Sequence, residues 1–455
     1  MKSKLTVLIL FFLIPFFYRF LIDNNEKEKE KIKIFVDGIN DNRWLLKKDY
    51  FNSFYLDKND INKYAKAFDK TNFKETALNE NNIDFNKFSF EVFKYINENT
   101  NESFLISPLS VVYALGMVNY GADDRTSSNI TNTIIANLNS TNTFYDKIKD
   151  DLLYFKSNNI NINNSIWIQN DNCYQPNKSY VQFVERIFNS DVYYVDFLNH
   201  HKKLRADINE WVLLKTNNVI NDLIKEDDIK KSTVQALINT VHFKNNWMNP
   251  FDSAKTKLKP FIFDNSEILK EMMYQYNSFN YLENDNYQFL ELPLSESSIS
   301  MLILLPKPNH SIDQLIFDYK ILDLINDKEK VSEKWGSVYI PKFKTSYNTS
   351  YKEILIDMGM FIPFDPNYAS FDGFWTYDNC NQDPPGNYID IINQNSYLTI
   401  DENGLEASAA TSIIMNRITS INKKPFTFNC NKPFVYYLYD NETEQVLFFG
   451  KYMGN

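Results

Sequence analysis

The sequence predicts a sheet-rich α+β domain, and three observations lead to that prediction. Apolar residues recur at helical spacing between Asp84 and Ile96, which is typical of a helix that begins a domain. Val234–Phe243 and Ile299–Leu305 are apolar runs long enough for strands that are buried on both faces. Phe434–Tyr439 and Val446–Tyr452 flank a short polar stretch and are expected to form a C-terminal hairpin. Helices followed by several long strands indicate an α+β fold.

The remaining elements follow from local signals. Ser107 and Pro108 form a cap and first-turn pair that predicts the start of a second helix. Alternating or apolar runs predict strands at Asn163–Gln169, Asp191–Phe197 and Lys334–Phe343. A helix is expected at Ile208–Leu214, continuing toward Ile224.

The N-terminal region is predicted to precede this domain. Residues 1–22 carry Lys2 and Lys4 before an apolar run, which is the layout of a secretory signal peptide. The run has no small-residue cleavage site and is near the lower length limit of a membrane span, so an uncleaved signal anchor is the alternative. Residues 23–83 form an extension whose role is not readable, and residues 84–455 form the main domain.

Composition and missing motifs exclude several function classes. The net charge of −10 and the pI near 5.1 argue against a nucleic-acid partner, because phosphate binding requires a basic face. The sequence contains no H-E-x-x-H, G-x-S-x-G, G-x-G-x-x-G or P-loop motif. We therefore expect no catalytic residue, metal or cofactor, and the prediction is that the protein is not an enzyme.

The cysteine and asparagine residues were considered as evidence for or against secretion of the protein. Cys173, Cys380 and Cys430 are too few and scattered for a zinc site or a disulfide scaffold. One disulfide bond with a spare thiol is possible, and Cys430 is expected to be a buried free thiol. Eight N-x-S/T sequons permit a secreted glycoprotein without proving one; they are at Asn101, Asn129, Asn139, Asn163, Asn177, Asn309, Asn348 and Asn441.

The stretch Thr399–Thr411 has small residues and strand-like alternation. About ten residues with little pattern follow it before Pro425. A linker seldom keeps such alternation, so we interpret the segment as a loop that becomes a strand in another state.

Six stretches resemble, in order, landmarks of the serpin family: Phe104–Ser110 (FLISPLS), Asn239–Trp247 (NTVHFKNNW), Ser300–Pro306 (SMLILLP), Ile340–Phe343 (IPKF), Asp401–Thr411 (DENGLEASAAT) and Phe428–Leu438 (FNCNKPFVYYL). The resemblance implies the serpin fold, with three β-sheets, eight to nine helices and an exposed reactive-centre loop at about residues 402–425. It also implies a monomeric, secreted serine protease inhibitor that acts as a suicide substrate, through cleavage of this loop and its insertion into the central sheet.

The resemblance also assigns roles to individual residues. Hinge positions are Glu402, Gly404, Leu405, Ala407, Ser408, Ala409, Ala410 and Thr411. Positions at the top and middle of the sheet, where it parts, are Lys342, Trp247, Ser107, Ser110, Asn239 and Gln394. Two positions depart from the family: Leu405 stands where Thr or Ser is usual, and Gln394 stands where the family has His. Glu402 and Lys342 are expected to form an ion pair beside Trp247.

Two scissile bonds remain open. Arg417–Ile418 suits the acidic pocket of a trypsin-like protease, whereas family spacing from Glu402 indicates Ile418–Thr419. The small hinge residues favour inhibition, with a trypsin-like serine protease as the partner. The alternative is a non-inhibitory serpin that acts as a carrier, a chaperone or a binding module, attached to the membrane if the N-terminal segment is an anchor.

Overall fold

The fold was analysed in a computed structural model, which describes residues 85–135, 141–158, 160–170, 175–216, 218–220, 222–264, 266–318, 331–376, 387–405 and 424–454. Apart from Tyr194–Asp196, these residues belong to one compact unit, Ala77–Tyr193 with Phe197–Asn455. The expected signal segment and the extension 23–83 lie outside the described residues.

Eight α-helices occur within these ranges: α1 Asn86–Asn99, α2 Pro108–Asn119, α3 Asp124–Ile134, α4 Thr141–Ser157, α5 Lys178–Phe188, α6 Phe197–Lys215, α7 Ile312–Asp318 and α8 Lys352–Asp357. None of them has the length and hydropathy that a bilayer crossing requires.

The strands are β1 Phe104–Ile106, β2 Ile160–Gln169, β3 Gln175–Pro176, β4 Asp191–Val195, β5 Gln235–Phe243, β6 Asn245–Asn246, β7 Lys257–Phe263, β8 Ser266–Glu283, β9 Tyr287–Pro293, β10 Ile299–Pro306, β11 Ser332–Pro341, β12 Phe343–Ser350, β13 Trp375–Thr376, β14 Ile391–Ile400, β15 Gly404–Leu405, β16 Phe426–Asn429, β17 Phe434–Asp440 and β18 Gln445–Tyr452.

In the described part of the chain these strands form three sheets. A nine-stranded sheet has the order β1-β18-β17-β10-β9-β8-β11-β16, with β7 paired to β8. A seven-stranded sheet has the order β4-β2-β5-β14-β15-β6, with β12 paired to β14, and β13 pairs with β3. The predicted α+β class, the three sheets and the helix number are confirmed. The predicted C-terminal hairpin is β17 and β18, in antiparallel pairing.

Helix α2 forms the core beneath the second sheet, where it packs against β5. All of its residues are buried. A Cβ atom at Gly116 would lie 3.0 Å from side-chain atoms of both Ile148 and Phe188, so a small residue lets neighbouring helices pack closely there. Near the N-terminus of α2, Ser110 Oγ donates to Asn239 Oδ1 of β5 at 2.8 Å, which connects the helix to the sheet.

One predicted boundary is wrong at helix α6. The strand predicted for Asp191–Phe197 ends at Val195, and helical structure begins at Phe197 instead of Ile208, with a kink at His200, whose φ of −128° and ψ of 17° are not helical. The reason is a cap from a distant strand, because the side-chain Oε1 of Gln169 accepts hydrogen bonds from the backbone N–H groups of Phe197 and Leu198, at 2.8 and 3.3 Å. Local periodicity carries no information on such a cap.

The end of α6 also differs from the prediction. The helix ends at Lys215 and does not continue toward Ile224. Ile224 instead lies beside the helix, where its N–H donates to Asn209 Oδ1 at 2.8 Å and its carbonyl accepts from Asn209 Nδ2 at 3.0 Å. The hydrogen bonds of Ile224 to the side-chain amide of Asn209 therefore take the place of the backbone hydrogen bonds that a continued helix would form.

Candidate functional site

The seven-stranded sheet has a parallel pair of strands at its centre. β5 and β14 pair in parallel from Ala236↔Ile391 to His242↔Tyr397. On their outer sides, β2 pairs antiparallel with β5 and β12 pairs antiparallel with β14. Parallel pairing is slightly less stable per residue than antiparallel pairing. The β5–β14 boundary is therefore where this sheet would gain most from an additional antiparallel strand.

The hinge begins directly at the end of β14. The chain turns through residues 401–403, where Asp401 N–H donates to Gly404 O at 3.0 Å and Asp401 Oδ1 accepts from the N–H of Asn403 at 2.7 Å. It returns as β15, which pairs antiparallel with β14 and with β6. A Cβ at Gly404 would lie 2.2 Å from Asn245 O, so only glycine allows this close approach.

Leu405 is fully buried in this arrangement, with 0% exposure. It lies opposite Ile400 of β14 and Asn245 of β6. The larger side chain at this unusual position is therefore accommodated in the intact chain. Its burial contributes to the stability of this part of the chain.

The expected ion pair lies at the base of the hinge. Lys342 Nζ is 3.0 Å from Glu402 Oε2, and Thr256 Oγ1 donates to Glu402 Oε1 at 2.7 Å. Burial by itself would raise the pKa of Glu402, but the hydrogen bonds from Thr256 and Lys342 outweigh it, and the pKa lies below its ordinary value. The hydrogen bond to Glu402 raises the pKa of Lys342. Both groups are therefore charged at neutral pH.

Trp247 holds the hinge backbone, as part of segment 247–251. Its indole Nε1 donates to Asp401 O at 2.8 Å, and its backbone N–H donates to Asn403 O at 2.9 Å. The N–H of Phe251 donates to Glu402 O at 2.8 Å. Three consecutive hinge carbonyls are therefore bound by one short segment.

A second cluster connects the N-terminus of α2 to β5 and β14. The side chain of Gln394, 1% exposed, is its centre. Gln394 Nε2 lies 2.8 Å from Ser107 O, 2.7 Å from Ser110 Oγ and 2.8 Å from Asn239 Oδ1. Gln394 Oε1 accepts from the N–H of Ser107 and the hydroxyl of Tyr351, each at 2.9 Å. All four predicted residues of this cluster lie together.

The structure corrects one detail of the cluster and adds two residues. Ser107 precedes α2, but its side chain makes no cap hydrogen bond; its contribution is through its backbone. Tyr351 and Asn164 were not predicted, and Asn164 Oδ1 accepts from Asn239 Nδ2 at 2.6 Å. Neither lies in a recognisable motif, so only the tertiary fold identifies them.

The far end of the loop is anchored in the other sheet. β16 pairs in parallel with β11, and the ring of Phe426 stacks on Tyr281 with centroids 3.8 Å apart. A Cβ at Gly336 would lie 2.4 Å from the Phe426 ring, so the ring fits over a glycine. Cys430, just beyond β16, is a buried free thiol as expected. The two ends of the loop therefore belong to different sheets.

The other predicted loop residues lie outside the described residues: Ala407, Ser408, Ala409, Ala410, Thr411, Arg417, Ile418 and Thr419. Within the described residues, no group of three or more His, Cys, Asp or Glu side chains is arranged to hold a metal ion.

Comparison with known proteins agrees with this architecture. A serpin-like protein of Methanosarcina acetivorans is 30% identical over 87% of this chain and 93% of its own length. The leukocyte elastase inhibitor of Xenopus laevis is 27% identical over 80% of this chain and 97% of its own length. Among solved structures, the thermophilic serpin tengpin in its native state is similar with a TM-score of 0.72 and 25% identity, covering 84% of this chain and 96% of tengpin. The family described as Serpin (serine protease inhibitor) matches residues 84–454, and the chain therefore belongs to the serpin family.

Proposed function

We propose that the protein inhibits a serine protease as a suicide substrate, by cleavage of the 402–425 loop and insertion of its N-terminal part between β5 and β14. The observation that carries the proposal is β15, which leaves the end of β14 and turns back antiparallel to it. Because β5 runs parallel to β14, a strand that continues from β15 would be antiparallel to both. One parallel ladder would be exchanged for two antiparallel ladders.

The driving force follows from that exchange. About a dozen additional ladder hydrogen bonds, at about 1 kcal/mol net each, would favour the inserted state. The far end of the loop opposes insertion while the chain is intact, because β16 is paired with β11 in the other sheet. The intact form is then a kinetically trapped state, and cleavage removes the tether.

The covalent steps balance as in ordinary acyl transfer. The protease serine Oγ attacks the carbonyl of Arg417, the peptide bond to Ile418 breaks, and the new amine takes up the proton. The Arg417 acyl group remains as an ester on the protease, and insertion competes with its hydrolysis by water. Arg417 supports a trypsin-like target, and Ile418–Thr419 is the alternative scissile bond.

The proposal also covers the location of the protein and its oligomeric state. Residues 1–22 support secretion, with the serpin domain outside the cell, and a signal anchor is the alternative. The monomer supplies both the loop and the sheet that would receive it. The same proposal includes glycosylation of the secreted chain at N-x-S/T sequons.

The test is incubation of the purified protein with bovine trypsin and with porcine pancreatic elastase, followed by denaturing electrophoresis. A complex that survives SDS and a C-terminal peptide that begins at Ile418 are expected with trypsin. A peptide that begins at Thr419 would assign the other bond. If both proteases cut the loop and no complex forms, the carrier or chaperone function replaces inhibition.

A further inference from the structure

The N-x-S/T sequons are equivalent in the sequence, because each satisfies the same three-residue rule. Asn139 lies outside the described residues, and the structure separates the other asparagines by what their side-chain nitrogen contacts. This Nδ2 atom is where an N-linked sugar would be attached. Its contacts therefore decide whether the folded chain has room for a glycan at that position. The asparagines compared are Asn101, Asn129, Asn163, Asn177, Asn309, Asn348 and Asn441.

Two of these asparagines connect the ends of helices to distant loops. Asn129 Nδ2 of α3 donates to Gly359 O at 2.9 Å, and its Oδ1 accepts from the N–H of Ile362 at 2.9 Å. Asn177 caps α5 with its Oδ1, and its Nδ2 donates to Gly373 O at 2.8 Å. Both ends of each carboxamide are thus used in tertiary contacts.

Two more connect the seven-stranded sheet to helix α6 and the segment after it. Asn163 Nδ2 of β2 donates to Lys215 O at 3.4 Å, and Asn348 Nδ2 of β12 donates to Leu223 O at 2.9 Å. The two asparagines lie in one row across the sheet, through one residue each of β5 and β14. A sugar on either nitrogen would stand between the sheet and this segment.

Asn441 lies in the turn between β17 and β18. Its Nδ2 has three acceptors, which are Ser298 O at 2.9 Å, Ser300 Oγ at 3.1 Å and Glu291 Oε1 at 3.4 Å. The amide has only two hydrogens to share among them. N-glycosylation replaces one of these hydrogens, so it would cost Asn441 part of this network.

Asn101 and Asn309 differ from these five. Asn101 lies between α1 and β1, and Asn309 lies between β10 and α7, in a turn closed by the N–H of His310 to Lys307 O at 3.1 Å. Both are exposed, and neither carboxamide takes part in a hydrogen bond within the described part of the chain. Exposure alone would not separate the two groups, because Asn348 is also exposed. The free Nδ2 separates them.

We propose that the secreted, folded protein carries N-linked glycans at Asn101 and Asn309, and none at the other five described sequons. The donor is an oligosaccharide joined to a polyprenol lipid through diphosphate. The asparagine Nδ2 forms a bond to the anomeric carbon as the bond from that carbon to the diphosphate oxygen breaks. The lipid diphosphate leaves with the electron pair, and a base of the transferase takes the amide proton.

The proposal rests on the proposed secretion of the chain, because only an exported chain meets this donor. A sugar at one of the five bonded asparagines would have to separate two segments that its amide now connects. The carbonyl on the other segment would then lose its donor, which destabilises the fold. Glycans at Asn101 and Asn309 break no such contact, so the folded, secreted fraction should carry them.

The test uses the full-length protein secreted from insect cells. Peptide N-glycosidase F removes each glycan and converts its asparagine to aspartate, which mass spectrometry reads site by site. Aspartate is expected at Asn101 and Asn309 and at none of the other five. In a chain that also carries Asn139→Gln, Asn101→Gln and Asn309→Gln should each remove one of two steps in electrophoretic mobility, and together they should remove both.

Ser350→Ala is the matched control, because it destroys the sequon of Asn348 and leaves the Asn348 side chain unchanged. It should not alter the mobility. The proposal is refuted if Asn101 or Asn309 is unoccupied in the secreted protein, or if any of the five bonded asparagines carries a glycan. A chain that stays inside the cell refutes the proposed secretion instead, and the same full chain behind a cleavable insect signal peptide then tests the sites alone.

Discussion

Replacing Gln394 by His should make the stability of the central sheet depend on pH. The Gln394 amide accepts hydrogen bonds from the N–H of Ser107 and the hydroxyl of Tyr351, and its Nε2 donates to Asn239 and Ser110. A neutral imidazole offers one acceptor and one donor, whereas an imidazolium offers donors only. Protonation would therefore leave buried donors without an acceptor.

The magnitude follows from the burial of the site. Each buried donor that loses its partner costs about 1–3 kcal/mol, which lowers the pKa of the histidine in the folded state below its ordinary value of about 6.5. The unfolded chain then binds more protons than the folded chain, so stability falls as the pH falls. If the folded pKa is about 5, the loss between pH 7.5 and 5 is about 1.6 kcal/mol, or about 2 °C in Tm for a domain of this size.

The assay is the Tm at a fixed scan rate, at pH 7.5 and at pH 5.0, for wild type, Gln394→His and Gln394→Asn. The asparagine variant is the control, since its shorter amide perturbs the cluster but does not titrate. The histidine variant should lose about 2 °C more than either of the others on acidification. Equal losses in all three proteins would refute the assignment of Gln394 as the centre of this cluster.

Three further predictions concern the loop and its base. Ala409→Pro should leave the Tm of the intact protein unchanged but abolish the SDS-stable complex, because proline removes a ladder donor; Ala409→Ser should retain the complex. Arg417→Ala should slow complex formation with trypsin at least about a hundredfold, which corresponds to about 3 kcal/mol, whereas Ile418→Ala should change it little; equal losses would favour the alternative bond. The lowered pKa of Glu402 means that its stabilising contribution is present at neutral pH and is lost as the pH falls below about 4.5. Glu402→Gln should therefore flatten the fall in Tm in that range, and an unchanged profile would contradict the pairing with Lys342.

Strong local patterns predicted the parts of the fold that depend on them. The apolar run at 299–305 is β10, which is buried along its whole length. A strand that is buried on both faces is apolar at every position, so it can be recognised without knowing which strands pair with it. Residues identified by resemblance, such as Lys342 and Glu402 or Ser110 and Asn239, lie in direct contact in the structure.

Features that depend on distant residues could not be predicted. The start of α6 depends on the side chain of Gln169, and the base of the hinge includes Thr256, which has no motif around it.

The proposed insertion is tested most directly by the heat stability of the nicked protein. The loop would be cut by limited proteolysis within residues 415–424, with electrophoresis to show that both fragments remain associated. Insertion between β5 and β14 predicts that the nicked protein melts about 10–20 °C higher than the intact protein, since about a dozen added kcal/mol each raise the Tm by a little over 1 °C. A nicked protein that melts no higher than the intact one would show that the loop does not insert, and would contradict the proposed mechanism.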